Sequence, residues 1–426
     1  MRTISMFEDQ RLTMEDSIDL TRQSLLAYGA AYKHWCIAYS GGKDSTATVT
    51  LVLHLIETGQ IPHPKSLIVL YSDTRQEIPP LHIGALATIA ALRERGIDAR
   101  VIQPALDDRY FVYMFGRGVP PPNNTTLRWC TAQLKIEPMD AELWRISYTM
   151  NEPRLILVVL ALAAGLTHIV WTLLAGLEKF LLLTGVRIGE SAARDQRIAL
   201  SCGRNGAECG QGWLQVQPPA AASDVLAPLL HWRVCHIWDW LTFSAPKIAS
   251  STAMVAEVYG GDEALERNAR TGCIGCPLAE LDTALDYVIS LPEWSYLAPL
   301  KRLRPLYREL RLFKWRLQKD GERNKDGRFS ANPSRKGPLT MDARRMGLRT
   351  VVAAQREINQ AARRLGRPRI SLINWEEFRR IRGLIAANTW PQRWAGDEPR
   401  GDVLIPQTYQ DGTRQELLLT LEENAR

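Results

Sequence analysis

The chain has 426 residues, of which 46% are hydrophobic and 23% charged, and these values exclude a mainly disordered chain. The formal net charge of +7 indicates a polyanionic partner. Seven cysteines favour metal or sulfur chemistry over a disulfide framework, because the first residues carry no apolar export signal. We therefore predict a cytoplasmic protein.

A glycine-rich motif lies between an apolar run over residues 35–39 and an apolar-rich run over residues 46–56. Its residues are Ser40, Gly41, Gly42, Lys43, Asp44 and Ser45. The order predicts a strand, a tight loop and a helix. Paired glycines expose backbone N–H groups to a ligand, and a helix N-terminus attracts anions. The spacing differs from that of a Walker A loop. It resembles the PP-loop of ATP pyrophosphatases, which implies cleavage of ATP to AMP and pyrophosphate.

Further apolar runs over residues 66–71, 99–103 and 181–184 predict additional strands. With the helices between them, they predict an α/β fold with a doubly wound parallel sheet. Asp73 follows the second strand, so it reaches the sheet edge beside the glycine loop, where its carboxylate can bind Mg²⁺ or a ribose hydroxyl. Helix capping is the alternative role for this residue.

The segment from Leu155 to Leu177 is uncharged and long enough to span a bilayer. We interpret it as a buried helix of the core, broken near Gly165. A span would put the glycine loop and the later arginine and cysteine motifs on opposite sides of a membrane, so we expect no membrane association.

Four cations lie in two short motifs downstream: Arg128 and Lys135 after a Gly/Pro/Asn-rich loop, and Arg187 and Arg194 after Gly185. Guanidinium and ammonium groups suit phosphate binding, although each residue could be an ordinary surface cation. Together with Asp73 and Glu77, the motifs 128–131 and 185–191 resemble the phosphoadenosine-phosphosulfate reductase superfamily. Within it they are most similar to DndC/SspD-type DNA phosphorothioation proteins, and the similarity extends to about Pro277.

This resemblance implies that ATP activates a DNA phosphate for replacement of oxygen by sulfur, as part of an antiviral defence system. DNA, a cysteine desulfurase and other phosphorothioation proteins are the implied partners, and ATP, Mg²⁺ and a [4Fe–4S] cluster the implied cofactors. The implied catalytic residues are Lys43, Asp44, Asp73, Arg128, Lys135, Arg187 and Arg194. The implied nucleotide-binding residues are Ser40, Gly41, Gly42, Lys43, Asp44, Ser45, Asp73, Gly185 and Arg187.

The cysteines cluster in the middle of the chain. Cys273-Ile274-Gly275-Cys276-Pro277 is typical of iron–sulfur ligands, and Cys202 and Cys209 are chosen as the other two. The resemblance implies that four cysteines of this region hold the cluster, while zinc stays an alternative. Cys130 could be a ligand or a sulfur carrier. Cys235 is interpreted as packing in a core-facing helix, and Cys36 as core.

The region from Lys301 to Arg349 has sixteen Lys or Arg against five Asp or Glu. Arg302, Arg304, Arg308, Arg311 and Arg316 recur at near-helical spacing, which predicts a basic helix face for a DNA backbone; a solvated helix is the alternative. We predict three domains: a PP-loop domain over 1–200, a cysteine-rich region over 201–300 and a basic helical domain over 301–426.

Three other functions stay open at this point. One is sulfonucleotide reduction, which in the families that perform it uses a nucleophilic cysteine near the C-terminus, whereas no cysteine follows Cys276 here. Another is transfer RNA thiolation, which shares the loop and the cluster. The third, of another class, is a nucleotide-sensing DNA-binding subunit without sulfur transfer.

Overall fold

The computed structural model describes residues 12–123, 127–189, 192–201, 212–218, 221–259, 273–279, 281–324 and 326–416. They form two compact units. The first contains the described residues of Met1–Asp73, Glu77–Gln103 and Lys135–Thr271, and the second those of Thr74–Gln76, Pro104–Leu134 and Gly272–Arg426. The predicted division is into three consecutive domains. The two units are not consecutive, because residues 104–134 group with residues beyond 272.

The first unit is built on a six-stranded sheet of order β3-β2-β1-β4-β6-β5. Its strands are β1 His34–Tyr39, β2 Ser66–Ser72, β3 Asp98–Ile102, β4 Phe180–Leu183, β5 Trp213–Gln215 and β6 Ser223–Ala227. All neighbours are parallel except β5, which runs antiparallel to β6. Strands buried on both faces read as continuous apolar runs, which explains why the sequence predicts β1, β2 and β4. The predicted α/β fold is confirmed.

The order of the strands reverses at β1, with β2 on one side and β4 on the other. At β1, Tyr39 lies opposite Tyr71, the penultimate residue of β2, and Ile37 opposite Leu183, the last residue of β4. The segments that begin at Ser40, Asp73 and Thr184 therefore leave the same edge of the sheet. Ligands of open α/β sheets bind at such a reversal, outside the carboxyl ends of the strands.

Helices cover this sheet. Helix α4, Trp129–Thr131, belongs to the second unit. The α-helices of the first unit are α1 Met14–Gly29, α2 Lys43–Glu57, α3 Pro79–Glu94, α5 Glu137–Ala163, α6 Thr167–Ala175, α7 Ala192–Ser201, α8 Val234–Asp239, α9 Ala245–Ile248 and α10 Ala253–Tyr259. The capping box of Thr13 and Asp16 starts α1, and prolines at the first turn start α3. Eleven of the fifteen residues of α2 are buried, so this helix is a central part of the core.

The apolar segment over 155–177 forms the second half of α5 and all of α6. Gly165, with a φ of +70°, lies in the turn between them, so the predicted break is confirmed. The predicted burial is wrong: Leu157, Val159 and Leu160 are 50%, 63% and 60% exposed. By length and composition, one described helical stretch, Trp129–Ala163, could cross a membrane, and 28% of its most apolar window is buried.

The second unit consists mainly of helices. Its α-helices are the short α4 Trp129–Thr131, α11 Thr283–Ser290, α12 Leu303–Glu309, α13 Met341–Leu365 and α14 Trp375–Ala386. The unit also contains a π-helical turn at Val112–Gly116, 3₁₀ helices at Ser295–Arg302 and Phe313–Trp315, and a β-hairpin of β7 Gln407–Thr408 and β8 Arg414–Gln415. Arg344 of α13 is fully buried and donates to the carbonyls of Phe115, Gly116 and Thr389. Backbone carbonyls thus pair its charge inside the core.

The predicted basic helix face over 302–316 is wrong. Helix α12 spans only Leu303–Glu309, and several of the arginines turn inward. Arg316 donates to the carbonyls of Lys336 and Gly337, and burial lowers its pKa to about 10. Arg311 donates to the carbonyl of Pro122, and Arg304 to that of Ala279. Of the five, Arg302 and Arg308 are exposed, and Arg302 is paired with Glu357.

Candidate nucleotide site and cysteine cluster

The glycine loop follows β1 and forms the start of α2. Gly41 has a φ of +73°, and a Cβ there would lie 2.8 Å from the Cβ of Ala85, so only glycine fits this position. Gly42 is the N-cap of α2 and has no side chain over the first turn. The Ser45 hydroxyl accepts from the Ser40 N–H at 3.2 Å and donates to the Gly42 carbonyl at 3.0 Å. The serines hold the loop in a shape that leaves the helix N-terminus available to an anion.

A buried ionic network joins the loop to the segment after β4. The Lys43 ammonium lies 2.7 Å from one oxygen of Asp44, and the Arg187 Nε lies 2.5 Å from the other. Arg187 also donates to the Trp232 carbonyl at 3.1 Å. Burial acts to raise the pKa of Asp44, but the charges of Lys43 and Arg187 outweigh it and hold that pKa below its ordinary value. The network carries two cations and one anion, so it has a net positive charge for a phosphate.

Gly185 allows the segment after β4 to touch the start of α2. A Cβ at Gly185 would lie 2.8 Å from the carbonyl carbon of Asp44 and 2.9 Å from the Ser45 nitrogen. Any larger residue would therefore push the two segments apart. This contact lies where the strand order reverses, between β1 and β4, and it brings Arg187 to Asp44.

Asp73 belongs to a group with Glu77 and His82, whose ligand atoms all lie within 4.8 Å of one another. Asp73 is buried and accepts from the Gln103 amide at 2.7 Å, and the His82 ring contacts the Tyr71 hydroxyl at 3.0 Å. Two carboxylates and an imidazole fit a divalent cation, and the imidazole suits zinc or iron better than magnesium.

Among the other predicted phosphate-binding cations, Lys135 makes no ion pair or hydrogen bond with this network in the described part of the first unit. Arg128 is exposed just before α4 in the second unit, and Lys135 is half-buried in the first. Arg194 belongs to α7, but its side chain lies outside the described residues. Their roles stay predictions.

Three cysteines lie in the second unit: Cys130 in α4, and Cys273 and Cys276 in one tight turn. The Cys276 N–H donates to the Cys273 carbonyl at 2.9 Å, and the Ile274 N–H to the Gln76 carbonyl at 2.7 Å. Burial, and then the charge of Cys276, raise the pKa of the Cys130 thiol. Cys130, Cys273 and Cys276 are called the cysteine cluster below. Cys202 and Cys209 lie outside the described residues.

The remaining two cysteines differ from each other. Cys36 is fully buried in β1, as predicted, and burial raises the pKa of its thiol. The assignment of Cys235 to packing is wrong, because it is exposed. Helix α8 turns Ile237 and Trp238 inward, and this leaves Cys235 on the opposite, solvent side.

The sequence did not single out several residues that the structure places at these sites. Tyr259 of α10 lies beside Lys43, with its ring centroid 5.9 Å from the ammonium. His82 follows Asp73 by nine residues and has no motif of its own. Tyr110 and Tyr307 are buried, and cysteine charges act on both hydroxyls. Contacts between residues so far apart in sequence leave no local pattern to read.

The profile of the phosphoadenosine phosphosulfate reductase domain matches residues 34–249, which is half of the chain and includes the whole ionic network. The chain belongs to this family. Members of the phosphoadenosine phosphosulfate reductase family are enzymes that act on nucleotides, and the buried cations beside the glycine loop suit such a ligand. The matched segment contains Cys130 and ends before Cys273.

A solved structure of phosphoadenylyl-sulfate (PAPS) reductase from Candida auris, in a phosphate complex, is similar with 11% identity and a TM-score of 0.29. The match covers 57% of this chain and 89% of the other. No curated protein matches the sequence.

Proposed function

We propose that the chain is an ATP pyrophosphatase that adenylates a DNA backbone phosphate, so that sulfur can replace one of its nonbridging oxygens. The observation that carries this proposal is the buried network of Lys43, Asp44 and Arg187 at the glycine loop. Two cations fixed by one carboxylate, next to the start of α2, suit the pyrophosphate that leaves when ATP is cut between its α- and β-phosphates.

In the first step, a nonbridging oxygen of the DNA phosphate attacks the α-phosphorus of ATP, and the bond to the β-phosphate oxygen breaks. Pyrophosphate leaves, and Lys43 and Arg187 stabilise its growing negative charge. In the second step, sulfur at the oxidation level of hydrosulfide attacks the DNA phosphorus, and AMP leaves with the former DNA oxygen. A persulfide donor would require two electrons in addition.

A divalent cation would be held by Asp73, Glu77 and His82, whose ligand atoms lie close enough together. Such an ion neutralises phosphate charge when it is bound. The residues of the chain contribute the positions: Gln103 fixes one oxygen of Asp73, and Tyr71 contacts the ring of His82.

The cysteine cluster would hold an iron–sulfur centre. Three thiolates in one unit suit such a centre, and the two buried tyrosine hydroxyls near them, at Tyr110 and Tyr307, have no hydrogen-bond partner of normal geometry among the described residues other than each other. When bound, the centre supplies a site for sulfur or electrons. Cys130 takes the place of a ligand in this proposal, and the sequence-based assignment of Cys202 and Cys209 stays a prediction.

The test is a product analysis with purified protein, ATP and DNA. We expect AMP and pyrophosphate in equal amounts, with formation at least about a hundredfold slower in Lys43→Met. DNA, transfer RNA and buffer alone are compared, and DNA should stimulate the reaction most. Stimulation by transfer RNA alone would replace the DNA assignment by RNA thiolation, and release of ADP would remove the pyrophosphatase assignment. ATP cleavage with no sulfur entering DNA when a desulfurase is supplied would favour a nucleotide-sensing subunit.

The match to the reductase family favours a second candidate, reduction of a sulfonucleotide. In that case adenylyl sulfate or its 3′-phosphate would release sulfite when a thiol reductant is present, without consumption of ATP. Sulfite production lost in Arg187→Met would support this reaction, and its absence with both sulfonucleotides would exclude it.

A further inference from the structure

Two tyrosine side chains of the second unit border the cysteine cluster and are buried. Tyr307 is 0% exposed and Tyr110 is 5% exposed, and their rings meet edge to face with centroids 5.8 Å apart. Neither hydroxyl has a hydrogen-bond partner of normal geometry among the described residues. A hydrogen bond between the two hydroxyls would satisfy only one of their two donors, so at least one buried O–H still lacks an acceptor.

Packing of the turn between Cys273 and Cys276 brings Tyr307 close to both. Gly275 has a φ of +62°, and a Cβ there would lie 2.9 Å from the Leu303 Cβ. Leu303 and Tyr307 are four residues apart in α12, so they share one face of that helix. The charges of Cys273 and Cys276 raise the pKa of Tyr307, after the larger effect of burial.

Tyr110 borders the cluster as well. Its ring lies 5.3 Å, centroid to centroid, from that of Trp129, the residue before Cys130. Burial first, and then the charges of Tyr307 and of all three cysteines, raise the pKa of Tyr110. Its hydroxyl is therefore within electrostatic reach of every member of the cluster.

Two arginines add further donors. The Nε atoms of Arg304 and Arg311 are buried and, in the described part of the chain, lack an acceptor. Arg311 is nevertheless fixed, because its Nη2 donates to the carbonyls of Pro122 and Pro277. The charge of Cys276 acts on Arg311, so this donor lies near the thiolates together with the two tyrosines. An acceptor-rich anionic group would pair with such buried donors, whereas a purely apolar group would leave them unpaired.

We propose that Tyr110 and Tyr307 donate hydrogen bonds to the sulfur atoms of an iron–sulfur centre in the cysteine cluster and so raise its reduction potential. The inference rests on the proposed function, which assigns that centre to these cysteines. Hydrogen bonds to sulfur stabilise the reduced centre, which is the more negative state. The tyrosines are positioning residues: they act on the centre and touch no substrate.

The test compares full-length Tyr110→Phe and Tyr307→Phe with the parent protein after anaerobic reconstitution with iron and sulfide. Iron and sulfide content is measured first, and the midpoint potential is then followed by electron paramagnetic resonance. Each variant should bind as much iron as the parent. The reduced-to-oxidised ratio at a fixed potential should fall about tenfold, which is a decrease of about 59 mV for one electron.

Tyr296→Phe is the matched control, since it removes a hydroxyl that already donates to the Pro368 carbonyl at 2.9 Å. Its potential should equal that of the parent. The role of the tyrosines would be overturned by unchanged potentials in Tyr110→Phe and Tyr307→Phe, by an equal decrease in the control, or by failure of both variants to fold. None of these results would contradict the iron–sulfur centre itself. A parent protein that binds no iron or sulfide would overturn the centre, and the inference with it.

Discussion

A single added methyl group at Gly185 tests whether the segment after β4 sets the geometry of the nucleotide site. In Gly185→Ala, the new Cβ would lie 2.8 Å from the carbonyl carbon of Asp44, whereas carbon atoms prefer a separation of about 3.5 Å. Because the neighbour is backbone, relief requires a displacement of roughly 0.7 Å at the start of α2. That displacement would separate Arg187 from Asp44 and move Lys43.

Overpacking of this kind costs about 1–3 kcal/mol in free energy of unfolding, and a misplacement of about 1 Å at a site can lower a rate about a hundredfold. We expect AMP formation to fall by about ten- to a hundredfold in Gly185→Ala, while circular dichroism stays that of a folded protein. Gly383→Ala is the control, since its Cβ would meet no atom within 4 Å on α14; it should keep full activity. A Gly185→Ala protein with the parental rate would refute the proposed role of this contact.

Three further predictions concern the cysteines, the surface cations and acid stability. Cys273→Ser or Cys276→Ser should remove most of the iron from reconstituted protein, as measured by a colorimetric assay. Cys235 is exposed on α8, so Cys235→Ser should retain the iron. Equal iron in all three variants would contradict the ligand assignment. Alanine at the exposed Arg308, Arg328 and Arg335 should flatten the slope of log K against log salt for duplex DNA by about 2–3, whereas alanine at the half-buried Arg316 should destabilise the protein instead. Unchanged slopes, measured by fluorescence anisotropy, would place DNA binding at other residues. Hydrogen bonds from Lys33 and His34 lower the pKa of Glu178 from 4.5 to about 2. The ionised Glu178 therefore stabilises the fold fully above pH 4.5, and this contribution is lost as the pH falls towards 2. In acid unfolding, Glu178→Gln should lose less stability over that interval than the parent protein, and identical acid profiles would show that the pairs contribute nothing.

The core of the first unit could be predicted from sequence because its signals are local. A buried parallel strand is a continuous apolar run, so β1, β2 and β4 are predicted to within one or two residues. The Ser40–Ser45 motif then identifies the loop, and the parallel arrangement places Asp73 and Gly185 at the same sheet edge. That placement brings Arg187 to the same edge as the loop, but it predicts neither the ion pair of Arg187 with Asp44 nor the burial of that pair.

Other features depend on contacts that no local pattern records. The spacing of cations over 302–316 does not show that Arg316 is held by backbone carbonyls instead of facing solvent. Similarly, the apolar residues over 155–177 predict burial, but an apolar composition does not determine whether other residues pack on them. Leu157 and Val159 are exposed. Tyr110 and Tyr307 are separated by almost two hundred residues, so their approach to the cysteine cluster is a property of the fold.

The most direct measurement uses purified protein, DNA, α-labelled ATP, a cysteine desulfurase with cysteine as the sulfur source, and a thiol reductant that supplies the two electrons needed to release hydrosulfide from the persulfide. Labelled AMP or ADP is separated by chromatography, pyrophosphate is measured by an enzyme-coupled assay, and the DNA is digested to nucleotides and analysed by mass spectrometry. We predict one AMP and one pyrophosphate for each sulfur-containing dinucleotide formed, and neither product with Lys43→Met. The proposal that the protein adenylates DNA for sulfur transfer would be contradicted if the labelled product were ADP. It would also be contradicted if AMP were formed while the DNA gained no sulfur.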